Sequence, residues 1–338
     1  IKTDENGEEE WSQNFMFIGA SSGSSVKQTD DGGYVFSGQG LSEDGYQGDH
    51  LIKTDENGIL EWSKIFSLAY FNLSINSTQT TSDGGYIITG TMVGEEPEEA
   101  GYAYLIKTDE NGEEEWSQTF MFIGSVASVQ QTDDGGYIIC MSLGNDIYLI
   151  KTDENGEEVW VQNFGGEDWD YFRAQDMSKT NDGGYIITGS YSCEFNSALN
   201  NCQDSPNGLL LIKVNGNGQE EWTTVTSYGP SGKSIKQTAD GGYIVTGANG
   251  GDAFLLKIDE NGAEQWEQTF GDEVFYEFGS SVQQTADGGY VVCGYRATTW
   301  DVFTFYSGID IYLIKTDPEG NVSSTNIIET PTINKKLI

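Results

Sequence analysis

Residues 128–164 read SVQQTDDGGYIICMSLGNDIYLIKTDENGEEVWVQNF. Four short runs rich in β-branched and aromatic residues are separated by Asp-Gly-Gly, by a loop and by Asp-Glu-Asn-Gly. Asp-Gly and Asn-Gly supply the positive φ values that tight hairpin turns need, so the segment predicts four antiparallel strands. We name them A, B, C and D, and they run around Ser128, Tyr137, Ile147 and Trp160.

The same unit recurs along the chain. Asp-Gly-Gly-Tyr occurs six times, starting at Asp31, Asp83, Asp134, Asp182, Asp240 and Asp287. The spacings are 52, 51, 48, 58 and 47 residues, which is typical of one supersecondary unit copied many times. Four-stranded sheets repeated in this way predict an all-β fold over residues 1–320, a six-bladed β-propeller of four-stranded antiparallel blades.

The N-terminus decides how such a ring would close. Strand D follows only the first five C strands, whereas residues 8–15, EEEWSQNF, match a strand D at the front of the chain. We therefore expect this N-terminal strand to pair with the last strand C, residues 311–315, and to close the propeller. Residues 1–4 duplicate residues 314–317, so two segments compete for that strand C position.

A tryptophan follows the C–D turn of each of the first five units and the matching turn at the front of the chain. The six residues are Trp11, Trp62, Trp116, Trp160, Trp222 and Trp266. One register repeated six times indicates a structural role, and we expect each ring to pack between adjacent blades.

The turn that carries Asp4, Gly7 and Trp11, repeated at Asp55, Gly58 and Trp62, supports a family resemblance. It resembles the turn that joins the two outer strands in quinoprotein-like, WD-type and related bacterial propellers. The resemblance implies the fold of the whole repeat region. It implies no particular activity, because one fold hosts many functions.

The net charge is −38, with only 16 basic residues. Such a surface repels nucleic acid and anionic membranes, and no run of about 20 apolar residues predicts membrane insertion. The Asp-Glu-Asn-Gly turns are too short for an EF-hand calcium loop. We predict no metal site and no cofactor, with loosely bound Ca²⁺ as the alternative to a merely solvated acidic face.

Two cysteines lie in one Asn- and Ser-rich insertion. Cys193 and Cys202 are nine residues apart, which predicts a local disulfide and an oxidising compartment. Cys140 and Cys293 occupy the same place in two B strands, and we expect both to be buried free thiols.

The repeat pattern of the sequence ends after Gly320. Residues 321–338 begin with a linker-like stretch and end in IIETPTINKKLI. This ending resembles the start of a C-terminal sorting domain of type IX secretion cargo. The resemblance implies export to the cell surface or the medium, with residues 321–338 as a linker and the start of a sorting or anchoring segment.

Candidate binding residues lie on the face that carries the B–C and D–A connections, which vary from blade to blade. They are Trp169, Tyr171, Arg173, Phe275, Tyr276, Arg296, Trp300, Phe303 and Tyr306. Aromatic rings beside carboxylates and arginines suit carbohydrate stacking or protein recognition. The alternative is that these residues cap the propeller or pack among themselves.

An enzyme is not predicted. The single histidine, His50, replaces a tyrosine of strand C, and no catalytic or metal-binding constellation can be built around it. We expect a secreted or cell-surface, non-catalytic binding or adhesion module whose partner is a glycan or a surface protein. Two alternatives remain, namely a self-assembling subunit of a surface layer or extracellular filament, and a polysaccharide-active enzyme.

Overall fold

The computed structural model describes residues 1–4, 9–15, 22–41, 47–67, 71–94, 101–165, 170–193, 208–226, 229–272, 275–298, 309–322 and 327–329. These residues form 26 strands and no helix. None of the described segments therefore provides a helix that could cross a membrane. The chain divides into two compact units, which hold blades one to three and blades four to six.

The first unit begins with a two-stranded hairpin, β1 (Lys2–Thr3) and β2 (Glu9–Trp11). Blade one follows with β3 (Ser22–Gln28), β4 (Tyr34–Leu41), β5 (Gln47–Thr54) and β6 (Leu60–Phe66). Blade two contains β7 (Phe71–Thr80), β8 (Tyr86–Gly94), β9 (Tyr102–Thr108) and β10 (Glu114–Ile123). Blade three contains β11 (Ser125–Gln131), β12 (Tyr137–Leu143), β13 (Asp146–Thr152) and β14 (Glu158–Phe164).

The second unit has the same pattern. Blade four contains β15 (Asp170–Lys179), β16 (Tyr185–Cys193), β17 (Gly208–Val214) and β18 (Glu220–Val225). Blade five contains β19 (Ser231–Gln237), β20 (Tyr243–Asn249), β21 (Asp252–Ile258) and β22 (Glu264–Phe270). Blade six contains β23 (Phe275–Gln284), β24 (Tyr290–Thr298), β25 (Ile309–Thr316) and β26 (Ile327–Glu329).

Every blade is an antiparallel sheet in the order A, B, C, D. The predicted all-β fold of six four-stranded propeller blades is thereby confirmed. Strand A carries a register shift at the same place in each blade, for example between Val126 and Ser128. This β-bulge adds one residue to strand A. Strand A therefore continues beyond the point where the alternation of its side chains between the two faces of the sheet is interrupted.

The predicted closure by the N-terminal strand is wrong. Strand β2 pairs with β1, and the fourth strand of blade six is β26, which pairs with residues 312–314 of β25. Both pairings join segments that are close in sequence, so each closes a short loop at a low entropic cost. Residues 327–329, which belong to the predicted linker and sorting segment, therefore form a strand.

A lysine of strand C contacts the aspartate of the A–B turn in each blade. Lys53 has a side chain only 5% exposed, and its ammonium contacts Asp31 of the Asp-Gly-Gly-Tyr turn at 2.8 Å and Glu61 of strand D at 2.9 Å. The other five blades repeat the lysine–aspartate pair, as Lys107–Asp83, Lys151–Asp134, Lys213–Asp182, Lys257–Asp240 and Lys315–Asp287. The ion pair with the lysine thus fixes the position of the turn aspartate, in addition to the backbone conformation of the turn.

The repeated tryptophan packs onto the following blade. The Trp62 ring lies edge-on to Tyr86 of blade two, with ring centroids 5.8 Å apart. It also covers Gly112 of the C–D turn, where a β-carbon would lie 2.6 Å from the indole. The same tyrosine contact recurs for Trp11–Tyr34, Trp116–Tyr137, Trp222–Tyr243 and Trp266–Tyr290. Trp160 occupies the same register in β14, opposite Lys151.

The cysteines differ in environment. Cys140 is a buried free thiol, whereas Cys293 is free but exposed, so the prediction of a buried thiol at position 293 is wrong. Its counterpart Cys140 in β12 is 0% exposed. Cys202 lies outside the described residues, and the Cys193–Cys202 disulfide stays a prediction.

Replacing Gly112 by alanine tests the fit between tryptophan and turn. Gly112 has φ +74, and an added β-carbon would collide with Trp62, so we expect a loss of about 2–4 kcal/mol in the free energy of unfolding. Gly84 is the matched control, since its φ is +86 but no atom lies within 4 Å of its β-carbon position. Gly84→Ala should cost only about 1–2 kcal/mol. Equal losses in urea unfolding would refute the steric part of this account.

The lysine–aspartate pairs predict acid sensitivity. Hydrogen bonds from Lys53, Thr29 and the Gly33 N–H lower the pKa of Asp31 to about 2. A carboxylate with a lower pKa in the folded than in the unfolded state stabilises the fold above about pH 4, and this contribution is lost as the pH falls toward 2. We expect the urea midpoint to drop over this range, and Asp31→Asn to reduce the drop. A flat profile between pH 4 and pH 2 would contradict the prediction.

Candidate functional site

Five of the nine predicted binding residues lie in the described part of the chain. They are Tyr171, Arg173, Phe275, Tyr276 and Arg296. Trp169, Trp300, Phe303 and Tyr306 lie outside the described residues, so their part in a site stays a prediction.

The five residues belong to strands, whereas Tyr171, Arg173, Phe275 and Tyr276 were expected in the connections that lead into blades four and six. Tyr171 and Arg173 lie in β15, Phe275 and Tyr276 in β23, and Arg296 in β24. The reason is the β-bulge of strand A, at Ala174–Asp176 in blade four and Gly279–Ser281 in blade six, beyond which the inner strand continues. Their side chains are therefore held by a sheet ladder.

The predicted residues fall into two groups. Blade four holds a half-buried Tyr171 and an exposed Arg173, and blade six holds the other three. Strand β19 of blade five lies between β15 and β23 and packs against both. The sequence prediction of one aromatic face thus resolves into separate positions on blades four and six.

The blade-six group forms the better-defined site. The Arg296 guanidinium lies over the Phe275 ring, 4.5 Å from its centroid, which is a cation–π geometry. The Tyr276 side chain is 38% exposed. Phe275 and Tyr276 line a surface depression of about 430 Å³ together with residues of blade five, namely Gly250, Gly251, Asp252, Gly271 and Asp272.

Blade five supplies the acidic and glycine-rich wall of this depression. An Asp272 oxygen accepts a hydrogen bond of 3.1 Å from the Phe275 N–H, which ties the end of the D–A connection to strand A of blade six. The Gly251 carbonyl accepts a 2.7 Å hydrogen bond from the Glu277 N–H. Blades five and six are therefore joined beside the depression by one backbone–backbone hydrogen bond, and the Asp272 side chain adds a second hydrogen bond to the backbone of β23.

Glu277, in the same strand as Phe275 and Tyr276, is a buried acidic residue next to this depression. It lies directly opposite Arg296 in the β23–β24 ladder and is only 2% exposed. Its Oε2 has no hydrogen-bond partner among the described residues. Burial, followed by the charges of Asp272 and Asp252, raises the pKa of Glu277 to about 7, against the opposing effect of Arg296. The carboxyl group therefore titrates near neutral pH.

A second buried carboxyl group lies in the first unit. Asp49 of β5 is fully buried, and burial raises its pKa to about 7, although it accepts hydrogen bonds from the Tyr104 hydroxyl and from the Ile75 N–H at 2.9 Å. Sequence reasoning missed it. A signal was present, because the equivalent positions of strand C in the other blades are Ala103, Ile147, Leu209, Ala253 and Ile311.

The part of the chain that the structure describes contains no candidate metal-binding site. Within those ranges, no three His, Cys, Asp or Glu side chains are grouped so that they could hold a metal ion. The single histidine, His50, is 1% exposed inside blade one. The described carboxylates of the depression thus offer hydrogen-bond acceptors and negative charge.

Comparison with known proteins bears on the fold. No protein-family model matches the chain, and no curated protein matches it. Among solved structures, it is similar to a protein of unknown function from Bacteroides caccae (13% identity, TM-score 0.50, covering 83% of this chain and 90% of that one). It is also similar to the WD40 repeats of RRP9 (10% identity, TM-score 0.52, covering 89% of each chain).

A third similar structure is a protein from Lactobacillus plantarum (11% identity, TM-score 0.55, covering 87% of this chain and 80% of that one). Likeness at these identities supports a β-propeller fold and carries no activity with it.

Glu277→Gln tests the titration near neutral pH. A carboxyl group with a higher pKa in the folded than in the unfolded state makes the fold less stable as the pH rises from about 4.5 through 7. We expect the melting temperature to fall between pH 5 and pH 8, and Glu277→Gln to flatten part of that slope. Asp49→Asn should flatten another part, and the double variant should combine both effects. An unchanged slope in Glu277→Gln would show that this group does not titrate in the range.

Proposed function

We propose that the protein is a non-catalytic binding module that meets a glycan or a surface protein through the depression between blades five and six. The observation that carries the proposal is the fixed pair of Arg296 and Phe275, 4.5 Å apart, together with the exposed ring of Tyr276, which lines the same depression as Phe275. Aromatic faces and arginine anchors supply much of the binding energy in recognition sites, since they bury a large area with few rotatable bonds.

The wall of blade five adds polar groups to this aromatic surface. Asp252 and Asp272 present carboxylate oxygens that can accept hydrogen bonds from sugar hydroxyls or from the donors of a protein. The glycines at 250, 251 and 271 leave backbone accessible beside them. A depression of about 430 Å³ suits one or two sugar rings or one large side chain.

The polysaccharide-active alternative has one supporting observation. Glu277 has a pKa raised to about 7 next to two further carboxylates, which is the electrostatic setting of a general acid. Against it, Glu277 is only 2% exposed, so a glycosidic oxygen would have to reach a group that is shielded from solvent. Binding therefore explains the site better than hydrolysis.

Export to the cell surface or the medium forms part of the proposal. It rests on the likeness of residues 327–338 to a type IX sorting segment and on the spacing of Cys193 and Cys202. The acidic surface, with a net charge of −38, fits a soluble module outside the cell. Self-assembly into a surface layer or filament is the structural alternative.

Binding should depend on the blade-six residues. We expect Tyr276→Ala, and Arg296→Ala through the loss of its contact with the Phe275 ring of the depression, each to weaken the binding of a partner found on a glycan array or a surface-protein array by about tenfold or more. Tyr295→Ala is the matched control, because Tyr295 lies in the same sheet and is also 38% exposed, yet it is not among the residues that line the depression. Its affinity should stay within about twofold of the unaltered chain.

Three results would count against the proposal. Equal losses in Tyr276→Ala and Tyr295→Ala would place the contact elsewhere. An absence of any array signal would remove the binding role. Release of reducing sugar from a polysaccharide panel, abolished in Glu277→Gln, would favour the enzyme instead.

A further inference from the structure

Three side chains of blade six share the face of the sheet that is turned toward blade five. Phe275 and Glu277 are two residues apart in β23, so their side chains lie on the same face. Arg296 is directly opposite Glu277 in the β23–β24 ladder and belongs to that face as well. Because Phe275 lines the depression between blades five and six, the Glu277 side chain is on the depression side of the sheet.

Blade five holds Glu277 in place but leaves one of its oxygens without a partner. The Glu277 N–H donates to the Gly251 carbonyl at 2.7 Å, and the carboxyl group accepts a hydrogen bond from the Asp272 N–H. The other carboxyl oxygen, Oε2, is buried and has no hydrogen-bond partner among the described residues. A buried acceptor of this kind destabilises the fold, and a positive charge placed nearby would offset that effect.

Negative charge surrounds this carboxyl group. The described titratable groups near it are Asp252 of β21, Asp272, Arg296 of β24 and Tyr312 of β25. Burial and then the charges of Asp272 and Asp252 raise the pKa of Glu277 to about 7, and Arg296 offsets only part of this effect. Burial and then the charge of Glu277 raise the pKa of Tyr312 as well. The wall of the depression is therefore electrostatically negative although an arginine lies next to it.

The two walls of the depression differ in chemistry. Blade six contributes the rings of Phe275 and Tyr276, and a β-carbon on Gly251 would lie 2.8 Å from the Tyr276 ring. Blade five contributes carboxylates, and the Asp252 carboxylate takes the space that a β-carbon on Gly271 would need. A side chain with an aliphatic stem and a positively charged end matches both walls, because the stem can lie along the rings while the charge meets the carboxylates.

We propose that the depression between blades five and six takes up a lysine side chain of a protein partner. The proposal rests on the binding function inferred above and narrows its partner to a protein with an exposed lysine. The ammonium group would donate hydrogen bonds to the carboxylates of Asp252 and Asp272, and the stem would lie along Phe275 and Tyr276. Glu277 would act from behind this wall, since its ionised form adds a further negative charge beside the bound ammonium.

Charge and shape favour a lysine over a sugar. An uncharged sugar would leave the negative charge of the three acids uncompensated. An amino sugar carries its ammonium group directly on the ring, so it has no stem that could lie along the aromatic wall while the charge reaches the carboxylates. The net charge of −38 also favours the approach of a basic protein surface.

The test uses the full chain and n-butylammonium, which has the stem and the charged end of a lysine side chain. A titration in about 150 mM salt, which screens diffuse attraction, is followed by the amide NMR signals of Gly251 and Gly271. We expect saturation with a Kd on the order of 1–10 mM. n-Butanol, which lacks the charge, and glucosamine, which lacks the stem, should bind at least about tenfold more weakly.

Variants locate the ammonium group. Asp252→Asn and Asp272→Asn keep the shape of the side chain and should each weaken n-butylammonium by about fivefold or more. Glu264→Gln is the matched control, because Glu264 is an exposed acid of β22 in blade five that does not line the depression. Its Kd should stay within about twofold of the unaltered chain.

Glu277 supplies a readout that a merely acidic surface would not show. An ammonium group bound beside it lowers its pKa, so binding releases a proton and becomes tighter as the pH rises. We expect n-butylammonium to bind at least about threefold more tightly at pH 8 than at pH 6, since a primary ammonium stays charged throughout this range. Glu277→Gln should remove this pH dependence.

Saturable binding that weakens in Asp272→Asn and not in Glu264→Gln supports the proposal. It is overturned by silent glycine signals, by tighter binding of glucosamine, or by a Kd that does not change with pH. An array partner that depends on Tyr276 yet binds equally well after acetylation of its lysines also overturns it and leaves the binding function intact. Because the titration needs no partner, a missing array signal would remove the binding role without changing the n-butylammonium result.

Discussion

Five strand-D tryptophans, namely Trp11, Trp62, Trp116, Trp222 and Trp266, pack into the next blade, against the glycine of its C–D turn and the tyrosine that follows its A–B turn. The contact constrains both the turn residue and the position of the next blade, because the indole fills a space that exists only where the turn residue lacks a β-carbon. Trp62 illustrates this, with Tyr86 at 5.8 Å and Gly112 beneath the ring. A blade placed one residue out of register would lose both partners, so the repeat sets the spacing of the blades as well as their fold.

Charge reinforces this packing inside each blade. The strand-C lysine Lys53 is almost fully buried, and its ammonium lies between a carboxylate of the A–B turn, Asp31, and a carboxylate of strand D, Glu61. Most acidic side chains among the described residues are exposed to solvent, whereas a lysine recurs at the same position of strand C in every blade and holds the aspartate of the A–B turn.

The sequence predicted the blades because their signals are local and repeated. Turn glycines, β-branched strands and one tryptophan per unit define the six sheets. It did not predict the pairing of β2 with β1, since the choice between two matching strands depends on which loop is shorter. Nor did it predict Asp49 or Glu277 as buried acids, because burial of a carboxyl group is decided by the neighbouring blade. The strand location of Phe275 was missed because a β-bulge interrupts the alternation of strand A.

The contact between Trp62 and Tyr86 carries the central claim, and a double-mutant cycle measures it directly. Trp62→Leu, Tyr86→Leu and the double variant would be compared in urea unfolding. The account predicts that the two losses are not additive, with a coupling of about 0.5–1.5 kcal/mol between the rings. Strictly additive losses would mean that tryptophan and tyrosine stabilise their own blades separately, and would contradict the claim that this pair joins one blade to the next.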